Sequence, residues 1–270
     1  MKAFGQHFAF EFKTGLRNSN LLMINYLFPF GFYVAMGLVM TKINPLFAAT
    51  MVPAMAVFAI IASTIIGMPG PLVEAREAGI YRSFKINGVP ATSILLVPAL
   101  TTIFHALIAA TVIAVTAPWL FGGEAPSNWG IFLAVLVLTA FACGGIGALI
   151  SVVSRDTRAT VLWSQLIFLP AMLIGGLMIP LSLLPESIRP ISALLPTTHA
   201  MQAEIGLAYG QATVVSPGLA LGVLFLAGLA CFAMASYLFN WDSRNASRRG
   251  HPALALLAWL PFAASILFVH

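Results

Sequence analysis

The chain has 270 residues, of which 60% are hydrophobic and only 8% charged, with a mean hydropathy of +0.97. A soluble domain carries roughly a quarter of its residues charged, so this composition excludes one and implies a surface that faces lipid. The net charge of +5 does not point to nucleic acid, because the basic residues fall at the ends of apolar segments and not in one patch.

In chain order, residues 2–17 come first. Phe4, Phe8, Phe12 and Leu16 recur at every fourth position and stack along one helical face, with Lys2, Glu11, Lys13 and Arg17 elsewhere. An apolar stripe with charged flanks suits a helix lying in the membrane interface. The alternative is a frayed polar extension of the first span. Glu11, Lys13 and Arg17 also interrupt the apolar core that a cleaved signal would need.

Six apolar runs follow: Leu21 to Met40, Leu46 to Met68, Thr92 to Ala117, Trp129 to Val153, Thr160 to Ile179, and Pro217 to Phe239. Backbone groups in hydrocarbon have no water to bind, so each run is predicted to be helical. The short alternating segments of a β-barrel are not seen. Within these runs Ala140, Gly144 and Ala148 share one face, as do Gly218 and Gly222, a spacing that lets helices approach closely. Cys143 and Cys231 lie in apolar runs with no metal-ligand or redox spacing.

Between the fifth and sixth runs, Ser182 to Leu207 is too polar and too proline-rich to span. Two short helices dipping into the outer leaflet, with Pro185 and Pro196 near their starts, fit its mixture of prolines, charges and apolar residues. An ordinary loop with one surface helix is the alternative. The last segment, Pro252 to Val269, carries no charge and is just long enough to cross the hydrocarbon core, with Pro261 as a kink. It is expected to be membrane-embedded, as a seventh span or in the interface. The chain thus divides into a permease-like region, 1–241, and a basic loop with an embedded tail, 242–270.

Orientation follows from the basic residues in short loops. Lys2, Lys13 and Arg17, then Arg76, Arg82 and Lys85, then Arg155 and Arg158, then Arg244, Arg248 and Arg249 all fall on one side. Only Lys42 and Arg189 of the thirteen fall on the other. The N-terminus is therefore expected in the cytoplasm of a multi-pass inner-membrane protein.

The loop from Glu74 to Pro90 is the most informative stretch. It is short, charged and predicted helical, with Ile80, Phe84 and Glu77 aligned by the helical period and Gly88 and Pro90 as the stop. Mixed charges with a few apolar knobs are what a protein partner grips. Glu77-Ala78-Gly79 followed by Arg82, Lys85 and Pro90, then Gly144-Gly145-Ile146-Gly147, then Gly175-Gly176 leading through Pro180 and Pro185 to Leu195-Pro196, occur in an order and spacing that resemble the type-2 ABC exporter permeases. The resemblance covers residues 1 to about 241. It implies an interfacial N-terminal helix, six spans, outer re-entrant helices and a dimer, each protomer bound to a cytosolic ATPase that holds ATP and Mg. It also implies a coupling role for the loop, carried here by Glu74, Glu77, Gly79, Arg82, Phe84 and Lys85. The Pro252–Val269 tail departs from that pattern.

The chain has no G-x-x-x-x-G-K-[ST] phosphate loop, no G-x-S-x-G elbow and no H-E-x-x-H motif. It is therefore expected not to be an enzyme and to hold no cofactor of its own. If the family pattern holds, the first, second and fifth spans line the path, with Asn25, Tyr26, Ser63, Thr64, Ser164 and Gln165 as its polar members. His105, an ionisable group inside the third span, is a further candidate; the other reading is a neutral histidine bonded to a neighbouring helix. A mostly apolar path suits an amphipathic, lipid-like or drug-like cargo, and membrane lipid is an expected partner. The rival is an ion-coupled secondary transporter, which would need carboxylates inside the spans.

Overall fold

The computed structural model describes residues 9, 11–15, 17–44, 47–241 and 250–268. Phe4, Phe8 and Leu16 of the N-terminal stripe, and Arg244, Arg248 and Arg249, lie outside the described residues. Among those described there are helices and no strands. Six helices are long and apolar enough to cross a membrane: α1 (Ser19–Ile43), α2 (Phe47–Glu77), α4 (Ala91–Phe121), α5 (Trp129–Val153), α6 (Thr157–Ile174) and α9 (Pro217–Leu238). The protein is an all-α, multi-pass membrane protein.

Short polar residues set the helix starts. Asn18 accepts from the backbone N–H groups of Asn20 and Leu21, Asn128 from Ile131, and Asp156 from Ala159. Each satisfies donors that a first turn leaves without partners. The Asp156 cap starts α6 three residues before Thr160. That helix also stops earlier than Ile179, because Gly175 and Gly176 follow and Gly176 takes a positive φ of 89°.

The largest departure from expectation is α2, which continues nine residues past Met68 to Glu77. A π turn, Ala62–Gly67, precedes Pro69, which then opens an α-helical stretch. A proline at such a start supplies no donor where none is needed, so the Pro69-Gly70-Pro71 run does not end the helix. A second π turn, Met23–Leu27, lies in α1. The two turns pack on each other, and a Cβ on Gly67 would sit 2.7 Å from Cγ2 of Ile24.

Helix α2 forms the centre of the bundle. Every residue from Met51 to Ile65 is buried, as an all-round apolar helix requires. Helix α5 packs so closely on it that a Cβ on Gly147 would fall 2.1 Å from the Thr64 carbonyl oxygen. Gly144 faces Ile103 of α4, whereas Gly218 and Gly222 meet nothing within 4 Å. The latter pair packs against no described residue.

Residues 181–208 form short helices: a 3-10 turn (Leu181–Leu183), α7 (Arg189–Ser192), α8 (Pro196–Ala203) and a third π turn (Glu204–Ala208). Pro196 starts α8 as expected. Pro185 does not start a helix; Pro190 holds that place in α7. Every residue of α8 is buried. The helix inserts among α2, α5, α6 and α9, with the Thr197 hydroxyl donating to the Ala171 carbonyl at 3.2 Å.

The tail forms α10 (Pro252–Phe268) beside α9. A Cβ on Gly250 would lie 3.1 Å from Leu238 and 3.2 Å from Tyr237, at one end of α9. Ile266 and Leu219 both pack on the cluster of Leu181, Leu184, Ala193 and Val215 at the other. Helix α10 thus runs antiparallel along the whole of α9. It reaches that length with 17 residues because Pro252–Trp259 is 3-10 helix, which rises about 2.0 Å per residue. Pro261 sits in the first turn of the α-helical part instead of kinking it.

Candidate functional site

The charged loop lies at the end of the bundle that carries Arg76, Arg155 and Arg158. It is two helices and not one. Helix α2 ends at Glu77, Gly79 takes a left-handed φ of 75°, and α3 (Ile80–Ile86) follows. Only glycine adopts that backbone freely, so Gly79 is the hinge between them. Glu77 and Phe84 therefore do not share a helical face.

Helix α3 is held from beneath. Tyr81 is buried, its hydroxyl donates to the Leu72 carbonyl at 2.8 Å, and its ring lies 5.8 Å from Phe239. Burial pushes its phenol well up from the usual range; Arg76 pulls it back and Glu11 adds to the rise. Phe239 packs edge-on to Trp241 at 5.3 Å, and Nζ of Lys85 sits 6.0 Å from the Trp241 ring, at the outer limit of a cation–π contact. Phe84 is half-buried against the core. Arg82, Lys85 and Asn87 are exposed, and Ile86 stands among them at 85% exposure.

Glu74 and Glu77 are exposed on the last turns of α2. Oε2 of Glu77 accepts from the Thr157 hydroxyl at 3.0 Å, which ties the loop to the start of α6. Arg76 counted in the sequence only as a loop charge. It is 7% exposed, and its guanidinium donates to the carbonyls of Ser151 at 3.0 Å, Ser154, and Val152 and Arg155 at 3.5 Å. These are carbonyls at and just past the end of α5, the pole of a helix dipole that favours a cation. Arg76 thus fixes α2, and the loop after it, to α5. A lone arginine in a charged loop carries no sequence signal for this.

The polar candidates of the spans fall into separate places. Tyr26 and His105 meet: the Tyr26 hydroxyl lies 2.6 Å from Nδ1 of His105. Phe12 stacks on the other side of the imidazole at 4.4 Å with parallel planes, and Gly15 closes over it. His105 is therefore the junction between residues 11–15, α1 and α4. Asn25 is buried beside Gly67, with no hydrogen-bond partner for Oδ1. Ser63 and Thr64 lie in the π turn of α2 without exposure, and Thr64 donates to the Ile60 carbonyl. Ser164 is buried on α6 and Gln165 is half-buried beside it.

At the opposite end, Glu204 is not a wet interfacial residue. It is fully buried in the third π turn, neither carboxylate oxygen has a hydrogen-bond partner, and burial pushes the carboxyl up to about 9. Nε2 of His199 donates to the Ala193 carbonyl at 2.8 Å and lies 3.2 Å from Ser265 Oγ. Nε1 of Trp259 donates to the Leu194 carbonyl at 3.2 Å. The tail is thereby fastened to α8 and to the turn before it.

Residues 3–209 match the family described as ABC-2 type transporter. No curated protein sequence matches the chain.

Proposed function

The chain belongs to the ABC-2 type transporter family, as a transmembrane permease component, and from that premise we propose that it moves an amphipathic, lipid-like or drug-like cargo out of the cytoplasm as half of a dimer, most simply of two identical chains. A separate cytosolic ATPase holds the ATP and Mg and docks on α3. The chain sits in the inner membrane with its N-terminus in the cytoplasm. The arginine-rich end of the bundle then faces the ATPase, and α7 and α8 cap the path at the outer leaflet.

One observation carries the docking assignment. Helix α3 presents Ile86, 85% exposed, among Arg82, Lys85 and Asn87, while Tyr81 on its other face is locked to Leu72 and Phe239. A surface knob on a helix so anchored transmits force into α2 and α9 with little slack. Glu77 and Gly79 act one step inward: Gly79 as the joint, and Glu77 as the link through Thr157 to α6. The cargo path lies against the half-exposed faces of α1 and α6, where Gln165 is its polar member.

The test is export and cargo-stimulated ATP hydrolysis in the reconstituted complex. Ile86→Asp changes a side chain that is 85% exposed and is expected to insert normally but lose the ATPase on purification. Gly79→Trp is expected to keep the ATPase and lose coupling, since no L side chain tolerates that φ freely. Wild-type assembly, export and ATPase response in both variants would make α3 an ordinary solvated turn.

A further inference from the structure

Helix α7 ends at Ser192 and α8 starts at Pro196. The carbonyls of Ser192, Ala193 and Leu194 therefore have no continuing helix to serve them. Two donors come from α8 itself. The Thr198 hydroxyl donates to the Ser192 carbonyl at 2.6 Å, and Nε2 of His199 to the Ala193 carbonyl at 2.8 Å. The Leu194 carbonyl is met from the tail, by Nε1 of Trp259 at 3.2 Å, and Oγ of Ser265 lies 3.4 Å from the Ala193 oxygen.

Phe262 packs between these contacts. It is fully buried, and its ring centroid lies 5.7 Å from that of His199 and 5.9 Å from that of Trp259. Ser192, Ala193 and His199 are fully buried as well. The joint is dry, so its carbonyls depend on donors from the protein. Elsewhere α8 is held by single polar side chains. The Thr197 hydroxyl reaches the Ala171 carbonyl of α6, and Oε1 of Gln202 accepts from the N–H groups of Val214 and Val215 at 2.7 and 3.1 Å. The tail lies beyond the residues 3–209 matched to the family.

We propose that Trp259 and Phe262 are positioning residues for the outer cap: they hold the turn between α7 and α8, and through it α8, in the closed position, so that α10 sets how readily the cap opens. This rests on the reading that α7 and α8 cap the path at the outer leaflet. The effect is differential. The bond to Leu194 and the packing of Phe262 exist with α8 seated. With α8 lifted, the carbonyl reaches water and needs no indole. Removing the indole N–H therefore raises the free energy of the closed state alone.

The experiment places a reporter thiol on α8 by Met201→Cys, at a position 1% exposed, in the full chain in nanodiscs. Its reaction rate with a charged maleimide is followed well below the thermal midpoint. Cys143 and Cys231, buried in the spans, serve as internal controls. Trp259→Phe keeps a ring and removes the donor. It is expected to speed labelling about two- to tenfold, the factor that one neutral hydrogen bond implies. Phe262→Leu, which loses the ring contacts, is expected to act in the same direction. Leu256→Ala, at a position of the same helix that is 72% exposed, is expected to leave the rate unchanged. In the complex with the ATPase, Trp259→Phe is expected to raise ATP hydrolysis without cargo relative to hydrolysis with cargo, a split that mere loss of folded protein does not produce. Wild-type labelling in both Trp259→Phe and Phe262→Leu overturns the proposal. So does an equal rise in Leu256→Ala, or labelling of Cys143 and Cys231 along with the reporter, which marks general unfolding. Faster labelling with an unchanged hydrolysis ratio supports the hold of α10 on α8 and overturns instead the reading that α7 and α8 cap the path.

Discussion

Replacing Arg76 is the sharpest test of how the charged loop is held. Its guanidinium donates to four carbonyls, of which those of Ser151 and Ser154 are within good hydrogen-bond distance and those of Val152 and Arg155, at 3.5 Å, are marginal. A hydrogen bond to a charged group contributes about 1.5–3 kcal/mol, so the two good ones bound the loss at roughly 3–6 kcal/mol. Part of this returns as water reaches the freed carbonyls at the mouth of the bundle. The expected destabilisation by Arg76→Met, which keeps the aliphatic packing of the stem, is about 2–4 kcal/mol. That corresponds to a fall in the thermal midpoint on the order of 5–10 °C in nanodiscs. Arg76→Lys is expected to recover less than half, because a point charge cannot fork across several carbonyls. Hydrogen exchange should rise in residues 150–158 and stay unchanged at Asn128. An unchanged midpoint and unchanged exchange in Arg76→Met would refute the clamp.

Further expectations follow from individual contacts. Gly147→Ala forces a methyl against the Thr64 backbone carbonyl, 2.1 Å from the ideal Cβ position, and should cost about 1–3 kcal/mol or more. Gly222→Ala, which meets nothing within 4 Å, should be neutral in the same thermal assay of the solubilised monomer. Tyr26→Phe removes the hydroxyl that meets His105 and should cost about 0.5–1.5 kcal/mol, read as earlier thermal unfolding. Glu204 has an ordinary value of 4.5 that the fold raises to about 9. The folded state therefore binds the proton more tightly than the unfolded state between these values, and stability should fall as pH rises from about 5 to 9, by at most about 1.4 kcal/mol per pH unit. Thermal midpoints across that range should slope down in the wild type and flatten in Glu204→Gln.

Six spans were legible because apolar runs near 20 residues leave the backbone no option but helix. Their ends were less legible. The Pro69-Gly70-Pro71 run reads as a break, yet the π turn just before it puts Pro69 at a position where a helix needs no donor. Conversely, Met178 and Ile179 read as membrane-buried because they are apolar, and it is the backbone of Gly175 and Gly176 that ends α6. In the candidate site, residue types were easier to find than partners. Tyr26 and His105 were visible as polar residues in apolar runs, but their meeting depends on a contact 79 positions apart. The grip of Arg76 on the end of α5 and the burial of Glu204 are likewise tertiary facts. Gly79 was visible as a glycine in a charged loop, but not as the break between two helices.

The facing π turns of α1 and α2 bear on how this chain can change length. A π turn carries one residue more than the α turn it replaces, and each added residue advances a helix by about 100°. In an unbroken α-helix the extra residue would turn everything beyond Gly67, including Leu72 and Arg76, away from its present direction. Losing one residue within Ala62–Gly67 need not break the helix, since the turn can close to α. The part beyond Gly67 would keep its orientation, because the wider turn is what absorbs the extra residue, and Arg76 would stay on the end of α5. A single deletion at either π turn is thus expected to leave α3 where it is, whereas one in the α-helical part of α2 before Ala62 would turn everything after it by about 100° and carry α3 away from its place.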